Sequence, residues 1–143
     1  MLILLIEDDP VQAALMEKAI RERLGAETFR IATESDFLAR LDEIARRAPG
    51  AIVIDVMLRW ADPAEQMPPT PVDYKKMGGY RRAGLRCQKK LMEGPRTRAI
   101  PAILYTVLPR ESLHLGGTDL AYVQKGDGFD ELLQRLQPHA ARR

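Results

Sequence analysis

The amino-acid sequence predicts a single α/β domain in which a doubly wound parallel sheet of five strands carries helices on both faces. Short apolar runs alternate with longer segments whose apolar residues recur at helical spacing. Strands that are apolar on both sides are typical of parallel sheets covered by helices. The 143 residues suffice for one hydrophobic core, and 45% hydrophobic with 29% charged residues is an ordinary composition for a globular domain.

Five segments are predicted as strands, namely residues 2–6, 27–32, 51–54, 101–105 and 120–123. The first and third are uninterrupted apolar runs that end in acidic residues. The second alternates apolar and polar residues, which is also a strand pattern.

Helices are predicted between these strands. The first begins at Pro10 with Asp9 as its N-cap, and its predicted buried face consists of Val11, Leu15, Met16, Ala19 and Ile20. One helix is predicted through residues 37–45, before Pro49 and Gly50, and another over 83–92. The last is predicted to lie around residues 129–136 and to end before Pro138.

Residues whose side chains could take part in catalysis or metal binding follow four of the strands. Glu7 and Asp8 follow the first, Asp55 the third and Thr106 the fourth, while Lys125 lies two residues past the fifth. In an open parallel sheet the ligand site lies at the carboxyl ends of the strands. We therefore expect these five side chains to meet at one edge.

Three carboxylates at one site need compensating cations. Two of them at 4 Å repel by about 4 kcal/mol at an effective dielectric constant of about 20. Lys125 supplies one positive charge, and a set of oxygen ligands without Cys or His favours Mg²⁺ or Mn²⁺ over zinc. Asp55 is then a candidate nucleophile for a phosphoryl group, and the Thr106 hydroxyl can donate to a phosphoryl oxygen.

Four segments resemble the receiver domains of bacterial two-component response regulators: LILLIEDD at 2–9, IVIDVML at 52–58, AILYT at 102–106 and YVQK at 122–125. The resemblance covers nearly the whole chain as one receiver domain over residues 1–143, except for a loop inserted at 59–79. It implies a flavodoxin-like fold with strand order 2-1-3-4-5. It also implies phosphorylation of Asp55 by a histidine kinase or phosphotransfer protein.

The resemblance implies a role for each site residue. Its Mg²⁺ (or Mn²⁺) ligands are Glu7, Asp8, Asp55 and the backbone carbonyl of Met57. Its catalytic residues are Asp55, Thr106 and Lys125, and its switch residues are Thr106 and Tyr122. Such a protein is a signalling receiver that catalyses only its own phosphoryl transfer and dephosphorylation, and is not an enzyme acting on other substrates.

Three features depart from the family pattern. Gly126 stands where the family has a proline, so we expect the loop after Lys125 to run without a cis peptide bond. Val107 stands where the family has a small residue. The stretch from Thr106 to Lys125 is short, which predicts a trimmed fourth helix. Gly126, Val107 and the long loop at 59–79 keep open an alternative, a receiver-like interaction scaffold that no longer switches by phosphorylation.

The chain between Asp55 and Thr106 is longer than one helix and two connections require, by roughly a factor of two. The excess lies in the Pro-rich loop 59–79, and residues 75–98 then carry nine basic residues against one acidic residue. This charge is either a solvated helix face and loop or a surface for an acidic partner, which we predict to dock near Arg81, Arg82 and Arg86. Nucleic acid is a weaker candidate because the aromatic and Gly-rich RNA-binding patterns are missing.

Other classes of protein are disfavoured by the sequence. Aspartate-based phosphatases place a second aspartate two residues after the first, where this chain has Met57. No apolar run is long enough to span a membrane, and a single cysteine with no signal peptide predicts a cytoplasmic protein. Only 18 residues follow Lys125, so we expect no DNA-binding output domain and an output through a downstream protein target.

Overall fold

The five predicted strands form one parallel sheet in a computed structural model, which describes residues 1–63, 66–116 and 120–140. The strands are Leu2–Ile6 (β1), Glu27–Ile31 (β2), Ala51–Ile54 (β3), Ala102–Thr106 (β4) and Ala121–Gln124 (β5). Their order in the sheet is β2-β1-β3-β4-β5, and all four pairings are parallel. The predicted fold class and strand order are therefore confirmed.

Helices cover both faces of the sheet. They are Pro10–Leu24 (α1), Glu34–Ala39 (α2), Leu41–Arg47 (α3), Ala83–Glu93 (α4) and Asp130–Ala140 (α5). One face packs against α1 and α5, and the other against α2, α3 and α4. No helix of the described residues is both long and apolar enough to cross a membrane.

The register of the sheet places the functional residues at its carboxyl edge. Ile6, the last residue of β1, lies beside Ile31 on one side and Ile54 on the other. The three strands therefore end at the same level. The backbone N–H of Asp55 donates to the Ile6 carbonyl at 2.9 Å, which continues the ladder past the end of β3. Asp55 is thus held at the edge by the sheet's own hydrogen bonds.

The helix predicted through residues 37–45 is in fact two helices, because the backbone turns at Arg40, whose φ and ψ are −109° and 17°. The N–H of Arg40 donates to the carbonyls of both Asp36 and Phe37. Phe37 and Ile44 are buried on the two sides of this break. The apolar spacing survives the break, so periodicity alone could not reveal it.

Two further helix predictions need correction. In α1, Asp9 is the N-cap as expected, but Val11 and Leu15 are exposed, and the buried stripe runs through Ala13, Met16 and Ile20. The buried stripe is thus rotated from the predicted one, with the small Ala13 buried in place of Val11 and Leu15. The last helix continues through Pro138, which lies in its final turn. A proline there removes a single helical hydrogen bond, so the helix need not stop.

The connections around the sheet's carboxyl edge are irregular. Between β4 and β5, the described residues contain only a short 3₁₀ turn, Arg110–Leu113, as the trimmed fourth helix predicts. Within 59–79, the described residues form turns and bends before a second 3₁₀ turn, Gly79–Arg82. Trp60 packs in this segment, since its indole N–H donates to the Pro68 carbonyl at 3.0 Å and its ring meets Tyr74 edge-on.

Candidate functional site

Lys125 joins two of the predicted acidic residues. Its Nζ donates to Glu7 Oε1 at 2.5 Å and to Asp55 Oδ2 at 2.9 Å. The three side chains are only 12%, 2% and 10% exposed, respectively. Hydrogen bonds between charged groups are strong, and they strengthen further when water is largely excluded. The structure therefore brings together a lysine and two carboxylates that are far apart in the sequence.

The backbone of Lys125 continues the last strand pairing. Its N–H donates to the Thr106 carbonyl at 2.8 Å. This bond holds the backbone of Lys125 at the carboxyl edge of the sheet. Its ammonium group also lies 5.6 Å from the centre of the Tyr105 ring. The described residues contain no cis peptide bond, so the bond to Gly126 is trans as expected.

The third predicted acid, Asp8, completes a cluster of carboxylates. Oxygen atoms of Glu7, Asp8 and Asp55 all lie within 4.8 Å of one another. The second oxygen of Glu7, Oε2, is buried without a hydrogen-bond partner. A buried oxygen with an unused lone pair, next to two further carboxylates, suits a hard divalent cation. The residues present therefore fit Mg²⁺ or Mn²⁺.

The electrostatics of the cluster favour a proton or a cation on Glu7. Burial, together with the neighbouring Asp55 carboxylate, raises the pKa of Glu7 to about 8, although Lys125 acts in the opposite direction. Burial works to lower the pKa of Lys125, but the Asp55 and Glu7 carboxylates outweigh it and the net change is upward. Without a metal, the raised pKa of Glu7 thus favours a proton on its carboxyl group, while Lys125 stays charged.

Sequence reasoning missed Arg59, which contacts Asp8. The Arg59 backbone N–H donates to Asp8 Oδ2 at 3.1 Å, and its Nη2 donates to the Asp8 carbonyl at 3.1 Å. Its Nε lies 3.7 Å from the same Oδ2. The sequence places the two residues 51 positions apart, and no local pattern links them. Arg59 thus supplies a second positive charge at the cluster.

Arg30 of β2 was also missed, and it holds the backbone that carries the acidic pair. Its Nε donates to the Glu7 carbonyl at 2.8 Å and its Nη2 to the Asp8 carbonyl at 2.9 Å. Both bonds fix the turn after β1, so the two carboxylates keep their direction. The available signal in the sequence was an arginine near the end of a strand in which apolar and polar residues alternate.

Gly84, at the beginning of α4, allows this helix to approach the backbone just after β3. Its N–H donates to the Val56 carbonyl at 2.8 Å. A Cβ at this position would lie 2.1 Å from the Asp55 carbonyl oxygen and 2.7 Å from the Val56 Cα. Backbone atoms cannot yield easily, so only glycine permits this packing. Helix α4 therefore packs directly against the backbone of Asp55 and Val56.

The structure places Met57 beside Asp55 and Thr106 farther away. The Met57 N–H donates to Asp55 Oδ1 at 3.2 Å. A cavity of about 550 Å³ at this edge is lined by residues that include Asp8, Asp55, Met57, Arg59, Val107 and Lys125. Thr106 is fully buried and does not line the cavity. Val107, the departure noted in the sequence, lies at the cavity instead and is exposed.

The two predicted switch residues meet at Leu108. The Thr106 hydroxyl oxygen accepts from the Leu108 N–H at 3.3 Å, and the Tyr122 hydroxyl donates to the Leu108 carbonyl at 2.5 Å. Both side chains thus bind one peptide segment just after β4. Their roles as switch residues stay a prediction.

The arginines predicted to bind an acidic partner differ in their surroundings. Arg86 forms a two-pronged salt bridge with the buried Glu34, at 2.7 and 2.8 Å. Arg82 donates to the Leu113 carbonyl at 3.0 Å, whereas Arg81 is exposed. The acidic-partner surface stays a prediction, and Arg86 already has an internal acidic partner.

Comparison with known proteins supports the fold. No protein-family model and no curated protein sequence matches the chain. Among solved structures, it is similar to the receiver domain of sensor histidine kinase PA1611 from Pseudomonas aeruginosa, solved with magnesium in its active-site cleft (21% identity, 99% and 98% of the two chains, TM-score 0.67). It is also similar to the response regulator TrrA from Thermotoga maritima in complex with Mg²⁺–BeF (19% identity, 96% and 97% coverage, TM-score 0.66).

A third similar structure is the BeF₃-activated receiver domain of RstA from Klebsiella pneumoniae (21% identity, 99% and 100% coverage, TM-score 0.67). These similarities span nearly the full length of both chains in each pair. The chain therefore has the receiver-domain fold.

Proposed function

We propose that this chain is a phosphoacceptor receiver of a two-component or phosphorelay system. The observation that carries the proposal is the contact of Lys125 with both Glu7 and Asp55, beside Asp8, at the carboxyl edge of a receiver-type sheet. Asp55 is the proposed acceptor. A histidine kinase or a phosphotransfer protein is the proposed donor, and a downstream protein is the proposed target. The lone cysteine favours the cytoplasm as the compartment.

The reaction follows from the position of Asp55. A carboxylate oxygen of Asp55 attacks the phosphorus of a phosphohistidine, the P–N bond breaks, and its electron pair returns to the imidazole nitrogen. Lys125 holds the Asp55 side chain in place and offsets negative charge as the phosphoryl group arrives. The only proposed catalysis is this transfer and the later hydrolysis of the acyl phosphate.

The metal has a defined place in the proposal. Glu7, Asp8 and Asp55, with the Met57 carbonyl as a proposed fourth ligand, would hold Mg²⁺ or Mn²⁺, which supplies positive charge for the phosphoryl oxygens. The magnesium named for the PA1611 and TrrA structures supports this assignment. On this proposal, Glu7 gives up its proton when the cation binds.

The proposed switch involves Thr106 and Tyr122. On this proposal, the Thr106 hydroxyl, which accepts from the Leu108 N–H, moves to donate to a phosphoryl oxygen. Because Tyr122 is bound to the carbonyl of the same residue, a movement of Leu108 would alter both contacts. Such a change shifts populations only if the phosphorylated form makes different contacts.

Intact-mass measurement after incubation with acetyl phosphate and Mg²⁺ tests the proposal. The wild-type chain is expected to gain one phosphoryl group, and Asp55→Asn is expected to stay folded and gain none. An excess of chelator should prevent the gain. A folded wild-type chain that gains no mass would favour the alternative, a receiver-like interaction scaffold, for which the exposed Val107 at the cavity is the supporting observation.

A further inference from the structure

A second large cleft lies at the opposite edge of the sheet from Asp55. It has a volume of about 710 Å³ and lies between the second half of α4 and the beginnings of β4 and β5. Its floor is mainly apolar and includes Met92, Ile100, Pro101, Ala102, Leu120 and Ala121. We call it the α4–β5 cleft.

Among the described residues, no α-helix lies between β4 and β5 to cover this cleft. On the face that carries α2, α3 and α4, the connection from β4 to β5 provides only the 3₁₀ turn Arg110–Leu113 among its described residues. Leu113 is buried, but Ile100, Ala102 and Leu120 are only partly buried. A doubly wound sheet normally has helices over both faces. The apolar floor thus lies where a helix would otherwise pack.

Positive charge lies beside this apolar floor. The cleft lining includes Lys89 and Arg98, and no acidic residue is among the described lining residues. Within the described parts of the chain, neither cation has a carboxylate within 4.0 Å. Met92 is 54% exposed, and an exposed methionine adapts well to different apolar partners. The cleft therefore combines an apolar groove with two cations that have no carboxylate partner among the described residues.

We propose that the α4–β5 cleft docks an acidic amphipathic helix of another protein. An amphipathic helix buries a stripe of apolar side chains in such a groove, at spacings of three and four residues. Carboxylates beside the stripe would pair with Lys89 and Arg98, which steers association and sets the orientation of the helix. The site is remote from Asp55, so docking does not depend on the proposed phosphorylation.

Other occupants match the cleft less well. Small-molecule sites usually contain a few buried polar groups that fix the ligand, and no polar side chain of this lining is fully buried. Single-stranded nucleic acid stacks on aromatic side chains, and the described lining has none. A second copy of this chain could offer its exposed Val11 and Leu15 of α1, but that helix carries more basic than acidic residues.

A displayed library of amphipathic helices tests the proposal with the full chain as bait. The helices would be about 18 residues long, with Leu, Ile, Met or Phe on the stripe and Glu, Ser or Lys at the flanking positions. Selection is expected to enrich Glu at the flanks. The best peptide, made with a fluorescent label, is expected to bind at least about tenfold more tightly than its Glu→Lys counterpart.

Matched variants locate the binding site. Met92→Glu and Arg98→Glu are expected to weaken binding about tenfold or more. The controls are Leu38→Glu and Arg46→Glu, which introduce a glutamate in place of an apolar or a basic side chain at exposed positions on α2 and α3. Both controls should bind the peptide like wild type. Circular dichroism of each variant checks folding. Asp55→Asn should bind unchanged, so failure of the phosphoacceptor assignment leaves this test intact.

Several outcomes would overturn the inference. One is a selection that yields no binder or enriches Lys. Another is a peptide whose affinity is unaffected by Met92→Glu and Arg98→Glu, since it would bind elsewhere. Concentration-dependent dimerisation that Met92→Glu abolishes would assign the cleft to a second copy of the chain instead.

Discussion

Arg59 binds Asp8 through both its backbone and its side chain. Its N–H donates to the carboxylate, and its guanidinium lies against the same oxygen and the Asp8 carbonyl. Arg59, which lies a few residues after the end of β3, thus already contacts Asp8, one of the proposed metal ligands. A cation that binds Asp8 has to compete with this guanidinium for its negative charge.

The first prediction concerns this competition. Arg59→Ala is expected to raise the affinity for Mg²⁺ by a factor of about 1.4 to 5, because a half-exposed ion pair contributes only about 0.2–1 kcal/mol. Calorimetric titration with Mg²⁺ measures the change. Arg46→Ala removes the same charge from an exposed position on α3 and serves as the control. An equal increase in both variants would mean that overall charge, and not the Asp8 contact, sets the affinity.

The second prediction concerns pH. The pKa of Glu7 in the folded protein is about 8, against an ordinary value of 4.5, so the folded state retains a proton that the unfolded state releases. The resulting stabilisation is fully present below pH 4.5 and is lost as pH rises through about 8. The raised pKa of Lys125 does not oppose this trend, because its stabilisation is lost only above 10.5.

Glu7→Gln cannot ionise and should therefore remove this loss. In excess chelator, urea unfolding between pH 5 and pH 8 should show a flatter dependence of the free energy of unfolding than in wild type, with a more stable variant at pH 8. Glu22→Gln, at an exposed position of α1, is the control and should follow wild type. If Glu7→Gln loses stability in parallel with wild type, the proton does not reside on Glu7.

The third prediction concerns Gly84. Gly84→Ala is expected to destabilise the protein by about 1–3 kcal/mol, because the new Cβ would overlap the Asp55 carbonyl and force the chain apart. The same displacement should reduce the rate of phosphorylation by acetyl phosphate. Gly128→Ala, where a Cβ meets nothing within 4 Å, should be nearly neutral in both measurements. Equal stability of Gly84→Ala and Gly128→Ala would contradict the close packing of α4 on the backbone just after β3.

The fourth prediction concerns the segment after Asp55. Carbonyls of Arg59 and Trp60 accept from the N–H groups of Glu34 and Ser35, at 3.0 and 2.8 Å, so this segment is tied to α2. If a phosphoryl group and Mg²⁺ draw Arg59 away from Asp8, the amide hydrogens of Glu34 and Ser35, which donate these bonds, should exchange more readily. We expect hydrogen exchange with Mg²⁺ and a phosphoryl analogue to change in residues 59–90 as well as in 106–122. Changes confined to 106–137 would leave the segment a passive part of the fold.

The strands, and the positions of the main acidic residues at their ends, could be predicted from the sequence because both depend on the local pattern of apolar and polar residues. An apolar run such as Leu2–Ile6 has few stable alternatives to a buried strand, and parallel strands bring Glu7 and Asp55 to one edge. The break at Arg40 and the rotation of α1 could not be predicted. Both depend on how a helix meets the sheet, and apolar periodicity tolerates either arrangement.

What the sequence by itself determined is the parallel sheet and the convergence of Glu7, Asp8, Asp55 and Lys125, because strand ends follow from the apolar pattern along the chain. The order of the strands was implied by the resemblance to receiver domains. Only the tertiary structure decided which groups complete that site. Arg59 and Arg30 reach it through long side chains, and Gly84 reaches it through the absence of one. Such contacts depend on side-chain direction and on gaps between packed elements, which no spacing in the sequence records.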